Sequence, residues 1–300
     1  MTSIGPWLGV ARAPFLALPL TLVASGAAAA AYDGRASWTA SILAAIGLVA
    51  LHAAVNAFNE ASDFRTRIDF HTERTPFSGG SGTLPSGALP RRAALAVGWG
   101  GTLVGVAIGA WFLTRVGWPI VPIGVAGLFV ILAYTDVLAR AAVGEVAAGL
   151  GLGLLPVVGA ALVQDGRIGP AAWAASVPAF WMTFNLLLLN EFPDEVADRA
   201  GGRRNLVLVL GRRHAALVYA FAALATPAAI IVSVAVGALP AVALVAVLPS
   251  LALAGPLSWA FRRSHEPVPV PALGANVVWN LATNTVLAAA LLYAAWLGGR

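Results

Sequence analysis

Two stretches of this 300-residue chain place acids and amides at the spacing of one helical face: Asn59-Glu60-Ala61-Ser62-Asp63 and Asn190-Glu191-Phe192-Pro193-Asp194. On a helix, residues three and four apart are neighbours. Asn59 and Glu60 therefore align with Asp63, and Asn190 aligns with Asp194 and then Asp198; Asp69 follows the first stretch, past Arg67. Carboxylates crowded together repel one another, so they must be protonated or find a cation. The chain has no cysteine, which leaves oxygen and imidazole as metal ligands. An oxygen-only set favours a hard ion, and Mg²⁺ that keeps some water and shares phosphate oxygens is the usual solution. Several arginines follow each stretch, and Arg matches the geometry of phosphate oxygens. Acids for a metal with arginines for phosphate are what a magnesium diphosphate requires. For either stretch taken alone, solvated charge at a helix end is the competing explanation.

The elements that must position these residues are set by composition. The apolar fraction is 59% and the charged fraction 10%, whereas soluble domains show roughly 45–50% and about 25%. Apolar runs able to cross a hydrocarbon core of ~30 Å lie near 13–32, 36–58, 93–114, 116–135, 141–164, 168–190, 215–239, 240–261 and 272–299. They predict an all-α, polytopic membrane protein of about nine transmembrane helices in a bundle within the lipid bilayer. The recurrence of N-E-x-x-D at the ends of the second and sixth runs predicts a single domain over 1–300 with a two-fold internal plan.

All 18 basic residues are Arg. Arg12, Arg65, Arg67, Arg74, Arg91, Arg92, Arg140, Arg199, Arg203, Arg204, Arg212, Arg213, Arg262 and Arg263 fall on one face; Arg35, Arg115, Arg167 and Arg300 fall on the other. The positive-inside rule makes the first face cytoplasmic. This predicts a multi-pass protein of the cytoplasmic (inner) membrane whose acidic loops, 59–92 and 190–213, face the cytoplasm. The net charge of +5 is thereby a topology signal, and no nucleic-acid partner is expected. A transporter with two acidic gates is a competing class. Against it, the acids cluster on one face, whereas ion pathways place ionisable groups at depth.

At these residues the sequence resembles the UbiA superfamily of intramembrane prenyltransferases. That family's N-D-x-x-D motif is similar to Asn59 through Asp63, with Glu60 at the second place, and the gap to Asp69 is most like the menaquinone-type dihydroxynaphthoate polyprenyltransferase branch. Arg74-Thr75-Pro76 to Ser86-Gly87 resembles an R-P-L-x-S-G element expanded by Phe77 to Gly82. Asn190 through Arg204 resembles N-N-x-x-D-x-x-x-D-x-x-x-G-K-R, and Tyr134-Thr135 with Gly144-Glu145 resembles a Y-[ST]…G-E element. One departure is Asp136 to Arg140, where that branch usually carries a Pro-containing stretch.

The resemblance implies helices around a central cavity and transfer of a polyprenyl group from its diphosphate to a small aromatic acceptor, of the kind used in quinone biosynthesis. It implies Mg²⁺ held by Asn59, Asp63, Asp69, Asn190, Asp194 and Asp198, with Arg67, Arg74, Arg140, Arg203 and Arg204 on the diphosphate and Asp63, Asp194, Asp198 and Tyr134 catalytic. Glu60 and Glu191 stand between ligand and helix-end charge. A terpene cyclase or lipid prenyltransferase of the same superfamily is the alternative. His52, one turn before Asn56, is either a hydrogen-bonded structural residue or a cavity residue. The stripe Asn276, Asn280 and Asn284 is either interhelical or part of an acceptor pocket.

Overall fold

The computed structural model describes residues 4–72 and 74–298, so Glu73 of the first acidic loop and Arg300 lie outside the described residues. Among the described residues every regular element is helical. The apolar helices are α1 (Ala13–Tyr32), α2 (Trp38–Thr66), α3 (Arg91–Val116), α4 (Ile120–Ala133), α5 (Gly144–Asp165), α6 (Pro170–Ala200), α7 (Arg212–Ala235), α8 (Ala241–Arg262) and α9 (Val270–Gly298). Eight of them are long and apolar enough to cross a membrane, and α4, with 14 residues, is shorter. An α-helix of that length rises ~21 Å. The fourth expected run, 116–135, therefore yields a helix shorter than the hydrocarbon core, because Gly117 at φ 72° and Pro119 turn the chain before α4 begins.

Local chemistry sets the ends that matter. The side chain of Ser37 caps the start of α2 by accepting from the Ala40 amide at 3.3 Å, and α2 stops where Arg67 adopts φ 62°. The apolar run ends near 58, yet the helix continues to Thr66 and carries Asn59, Glu60 and Asp63 on an unbroken surface. In the same way α6 starts on Pro170 and runs through Pro193 to Ala200, carrying Asn190, Asp194 and Asp198.

In α5 the α-helical ladder is interrupted by a wider π turn at Leu150–Leu154. Thr183 of α6 donates to the Leu152 carbonyl in that turn at 3.2 Å, which satisfies a group that the changed register leaves free. Gly153 lets the two helices approach: a Cβ there would stand 2.5 Å from the Ala179 carbonyl oxygen.

Buried polar groups lace the bundle together. Tyr219 of α7 donates to Asn276 Oδ1 at 3.1 Å, Asn276 donates to the Asn185 carbonyl at 3.2 Å, and Ser25 of α1 donates to the Asn284 carbonyl at 3.0 Å. Asn284 also donates to Asn280. Interhelical side-chain hydrogen bonding is thus the geometry of Asn276, whereas Asn280 Nδ2 and Asn284 Oδ1 are buried without a partner among the described residues. At one end of the bundle Arg35 clasps Asp165 at 2.9 Å and Asp33 at 2.5 Å. The segments joining α2 to α3 and α6 to α7 share the opposite end.

That arrangement makes a labelling prediction in the cysteine-free background. Ser86→Cys and Arg204→Cys should react with a membrane-impermeant maleimide from the same side of sealed vesicles, and Arg167→Cys only from the other side. Reaction of Ser86→Cys and Arg204→Cys from opposite sides would contradict the fold.

Candidate functional site

The last turns of α2 and α6 face each other across a cavity of about 150 Å³. Asn59, Asp63, Asp69, Asn190, Asp194, Asp198, Tyr134 and Arg203 all line it. Asp63, Asp69 and Asp198 are buried, and Asp194 is half-buried. Bringing carboxylates together away from water requires a counter-charge, and Arg203 supplies it from the segment after α6. Its guanidinium donates to Asp63 Oδ1 at 2.5 Å, to Asn59 Oδ1 at 2.8 Å and to Asp198 Oδ1 at 3.2 Å. One side chain thus joins the first N-E-x-x-D stretch to the acid one turn beyond the second. Asn59 also donates to Asp63 Oδ2 at 3.0 Å, and Asn205 donates to Asp198 Oδ2 at 2.9 Å.

The charges follow from this packing. Burial works against the charge on Arg203, but Asp63 and Asp198 outweigh it and hold the guanidinium's pKa above its ordinary value. Asp69 sits in a 3₁₀ turn, Ile68–Phe70. Burial, reinforced by Asp63 and Glu60, pushes its carboxyl up to about 7. Asp69 Oδ2 and Asp194 Oδ1 are buried with no hydrogen-bond partner, an expensive condition unless something else meets them.

Glu60 points elsewhere. It is fully buried, accepts from Arg12 Nε at 3.2 Å, and accepts from the amide and hydroxyl of Ser81 at 2.7 and 2.8 Å. These bonds pin the glycine-rich loop so that Ser78, Gly79 and Gly80 roof the cavity. Gly80, at φ 71°, passes so close to Asp69 that a side chain there would strike the carboxylate. Glu191 lines the cavity with its Oε2 unpartnered, and Glu145 Oε1 accepts from the Leu206 amide at 2.6 Å.

Four of the expected arginines are not brought to the cavity wall. Arg67 and Arg204 are exposed. Arg74 turns back on the Asp69 carbonyl at 3.4 Å, and Arg140 packs beside Gly202. Arg12, Ser81 and Asn205 take part in the site without having been expected there. Arg12 reads in sequence only as an orientation charge, because its contact with Glu60 spans 48 positions. Asn205 does leave a trace, since its side chain caps the short helix Leu206–Leu210.

Asp136, in the stretch that departs from the family pattern, accepts from Ser62 at 2.5 Å and from Arg65 at 2.7 Å. It braces the end of α2 and does not line the cavity.

Among the described residues no three acids or imidazoles converge closely enough to enclose an ion. Carboxylates spaced around a cavity suit a hard ion that keeps water and binds through a phosphate, better than one needing an all-protein cage. The unpartnered Asp69 and Asp194 oxygens fit the same arrangement.

Beneath this polar head the cavity meets an apolar groove of about 440 Å³ among α1 to α5, with Leu48, Leu51, Ile108, Leu128 and Ile131 in its walls. His52 and Leu152 line both spaces.

The UbiA prenyltransferase family pattern matches residues 17–274. No curated protein matches the sequence. Among solved structures, the fold is similar to the apo structure of a UbiA homolog from Aeropyrum pernix K1, at 20% identity and TM-score 0.73 over 93% of this chain and 98% of that one. It is similar to a UbiA homolog from Archaeoglobus fulgidus bound to GPP and Mg²⁺, at 14% identity and TM-score 0.67 over 94% and 99%. A structure of digeranylgeranylglyceryl phosphate synthase matches at 13% identity and TM-score 0.66 over 98% and 99%.

Two stability predictions follow from the charges. Arg203→Ala leaves Asp63 and Asp198 buried without their partner and should lower stability by about 3–5 kcal/mol, read as a lower melting temperature. For Asp69, the folded carboxyl binds its proton more tightly than the unfolded one. Its stabilising contribution is therefore complete below about pH 4 and lost as pH rises through about 7. In chelator-treated buffer, melting curves of Asp69→Asn should fall less between pH 5 and 8 than those of the parent; an equal fall would refute the assignment.

Proposed function

The chain belongs to the UbiA prenyltransferase family, and from that membership we propose that it moves a polyprenyl group from an allylic diphosphate to a small aromatic acceptor of the quinone-precursor kind. The observation that carries this reading is the shape of the site. A charged head between two acidic helix ends opens into an apolar groove inside the bundle, which is the outline of a diphosphate with a hydrocarbon tail.

In this reading Asn59, Asp63, Asp69, Asn190, Asp194 and Asp198 hold Mg²⁺. The bound ion neutralises the diphosphate so that it can leave, and the A. fulgidus homologue's pairing of GPP with Mg²⁺ supports that choice. Arg203 holds Asp63 and Asp198 in register, and its guanidinium is placed to donate to diphosphate oxygens as charge develops on them. Arg67, Arg74, Arg140 and Arg204 lie outside the cavity wall, where they draw in an anionic substrate. Tyr134 closes the wall below the head. When the C–O bond ionises, the electron pair leaves on the diphosphate and an allylic cation forms. The groove keeps that cation from water.

The orientation that goes with this function puts the acidic loops at the cytoplasmic face of the inner membrane, in a single domain spanning 1–300. The gap from Asp63 to Asp69 favours a menaquinone-type acceptor. Asp136 bonds to Ser62 and Arg65 away from the cavity, so the departure at 136–140 bears on how α2 is braced more than on acceptor choice. A second reading, transfer to a lipid acceptor, draws on the likeness to digeranylgeranylglyceryl phosphate synthase. A cyclase would use the same ionisation with no acceptor.

The test is to incubate detergent-solubilised protein with Mg²⁺ and geranyl diphosphate, with and without dihydroxynaphthoate or 4-hydroxybenzoate, and identify products by mass. Prenylated aromatic product should form in step with diphosphate release and stop in excess EDTA. Asp63→Asn and Asp194→Asn should each abolish turnover, and the double variant should be scarcely worse than either. A cyclic product formed without acceptor, or full activity in EDTA, would sink the transferase reading.

A further inference from the structure

A diphosphate held among carboxylates needs positive donors of its own beside the metal. Among the described residues lining the polar head, only Arg12 and Arg203 carry a permanent positive charge. Arg203 already donates to Asp63, Asn59 and Asp198. Arg12 is less committed. Its Nε donates to Glu60 Oε1 at 3.2 Å, and its two terminal nitrogens have no hydrogen-bond partner among the described residues. Arginine often grips a carboxylate with two nitrogens at once; this side-on contact leaves the fork of terminal nitrogens for a second partner. The side chain keeps 23% of its surface exposed where it lines the head. Its charge reaches Asp63 and Asp69 from the α2 side and Asp194 from α6. The backbone fixes this placement. Arg12 adopts φ 50° and ψ 55°, a left-handed conformation that residues other than glycine hold only with support. Its amide donates to the Gly9 carbonyl at 2.8 Å, its carbonyl accepts from the Phe15 amide at 2.9 Å, and Asn56 of α2 donates to the Ala11 carbonyl at 3.0 Å.

We propose that Arg12 is a catalytic residue whose terminal nitrogens grip the diphosphate, both in the bound substrate and as it leaves. The proposal rests on the prenyltransferase reading. In the ionisation step the bond between C1 of the prenyl group and the diphosphate oxygen breaks, and both electrons stay on that oxygen. Arg12 keeps its protons and donates hydrogen bonds to the oxygens whose charge grows. Glu60 is then a positioning residue. It anchors Nε, so the fork is turned from the carboxylate towards the head, and through Ser81 it holds the roof over the same space.

The experiment measures binding without turnover, by calorimetric titration of the full chain in detergent with Mg²⁺ and geranyl S-thiolodiphosphate, an analogue that resists ionisation. Arg12→Gln should weaken binding about tenfold or more, as expected for lost hydrogen bonds between charged groups. That variant also leaves Glu60 without its charged partner, so two others separate grip from brace. Arg12→Gln combined with Glu60→Gln replaces the ion pair by an amide pair and leaves the net charge of the site unchanged. Its melting temperature should return towards that of the parent while affinity stays about tenfold low. Arg12→Lys keeps the charge but offers one ammonium to two partners, and should bind several-fold more weakly. With whichever hydroxybenzoate or hydroxynaphthoate the parent prenylates, KM for geranyl diphosphate should rise in all three variants and KM for the acceptor should not. Parent-like affinity in the double variant, which would make Arg12 a brace for Glu60 and nothing more, overturns the proposal. Parent-like affinity in Arg12→Lys, or a rise confined to the acceptor's KM, overturns it as well. A parent that binds the analogue through Arg12 yet prenylates no aromatic compound overturns the acceptor reading and leaves this proposal standing, whereas a parent that does not bind the analogue with Mg²⁺ overturns both.

Discussion

Carboxylates from two distant parts of the chain meet at one end of this bundle where burial penalises their charge, and one guanidinium makes that meeting possible. Without Arg203, Asp63 and Asp198 would confront each other with no positive partner between them. The remaining geometry follows from that requirement. α2 and α6 must each continue past their apolar runs to deliver the acids, and the segment after α6 must fold back to deliver the arginine. Glu60, placed beside the others in sequence, adds to their charge but spends its hydrogen bonds on Arg12 and Ser81, which hold the roof. An arrangement so heavily charged yet so enclosed is poised for an incoming cation that can take over the carboxylates.

Below the head, the constraint changes from charge to shape. The short α4 and the π turn in α5, whose carbonyl is capped by Thr183, both contribute to the groove's walls. Leu152, carried on that turn, faces both spaces, as His52 does from α2. The site is therefore graded along the membrane normal, from ionic through one imidazole to hydrocarbon. That gradient, more than any individual residue, matches an amphiphile cleaved at the join between its two parts.

Much of this was legible in the sequence because the signals are periodic or local. Apolar runs locate the helices, although α2 and α6 continue past theirs to Thr66 and Ala200, and four-residue spacing places Asn59 with Asp63 and Asn190 with Asp194 on the cavity wall. Three kinds of information were not legible. Direction at a helix end is one: Arg67, Arg74, Arg140 and Arg204 look like Arg203 in composition, but only Arg203 follows a turn that aims it inward. Long-range pairing is another, since nothing near Arg12 announces Glu60. Satisfaction is the third. Asn276 and His52 both read as buried polar groups, and among the described residues only the Asn276 side chain finds partners on other helices.

The bond between Arg203 and Asp63 spans 140 positions of chain, and this separation has a bearing on how the protein is made. Ribosomes add residues at ~5–20 per second, so the second helix and its acids are synthesised several seconds before the arginine that will neutralise them. During that interval Asn59 and Asp63 have to stay at the aqueous surface or carry protons. The bundle's charged end can close only when the sixth helix and the turn after it have emerged. Assembly of this end is thus the last act of a long wait, and a nascent chain halted before residue 203 holds an unfinished half-site facing water.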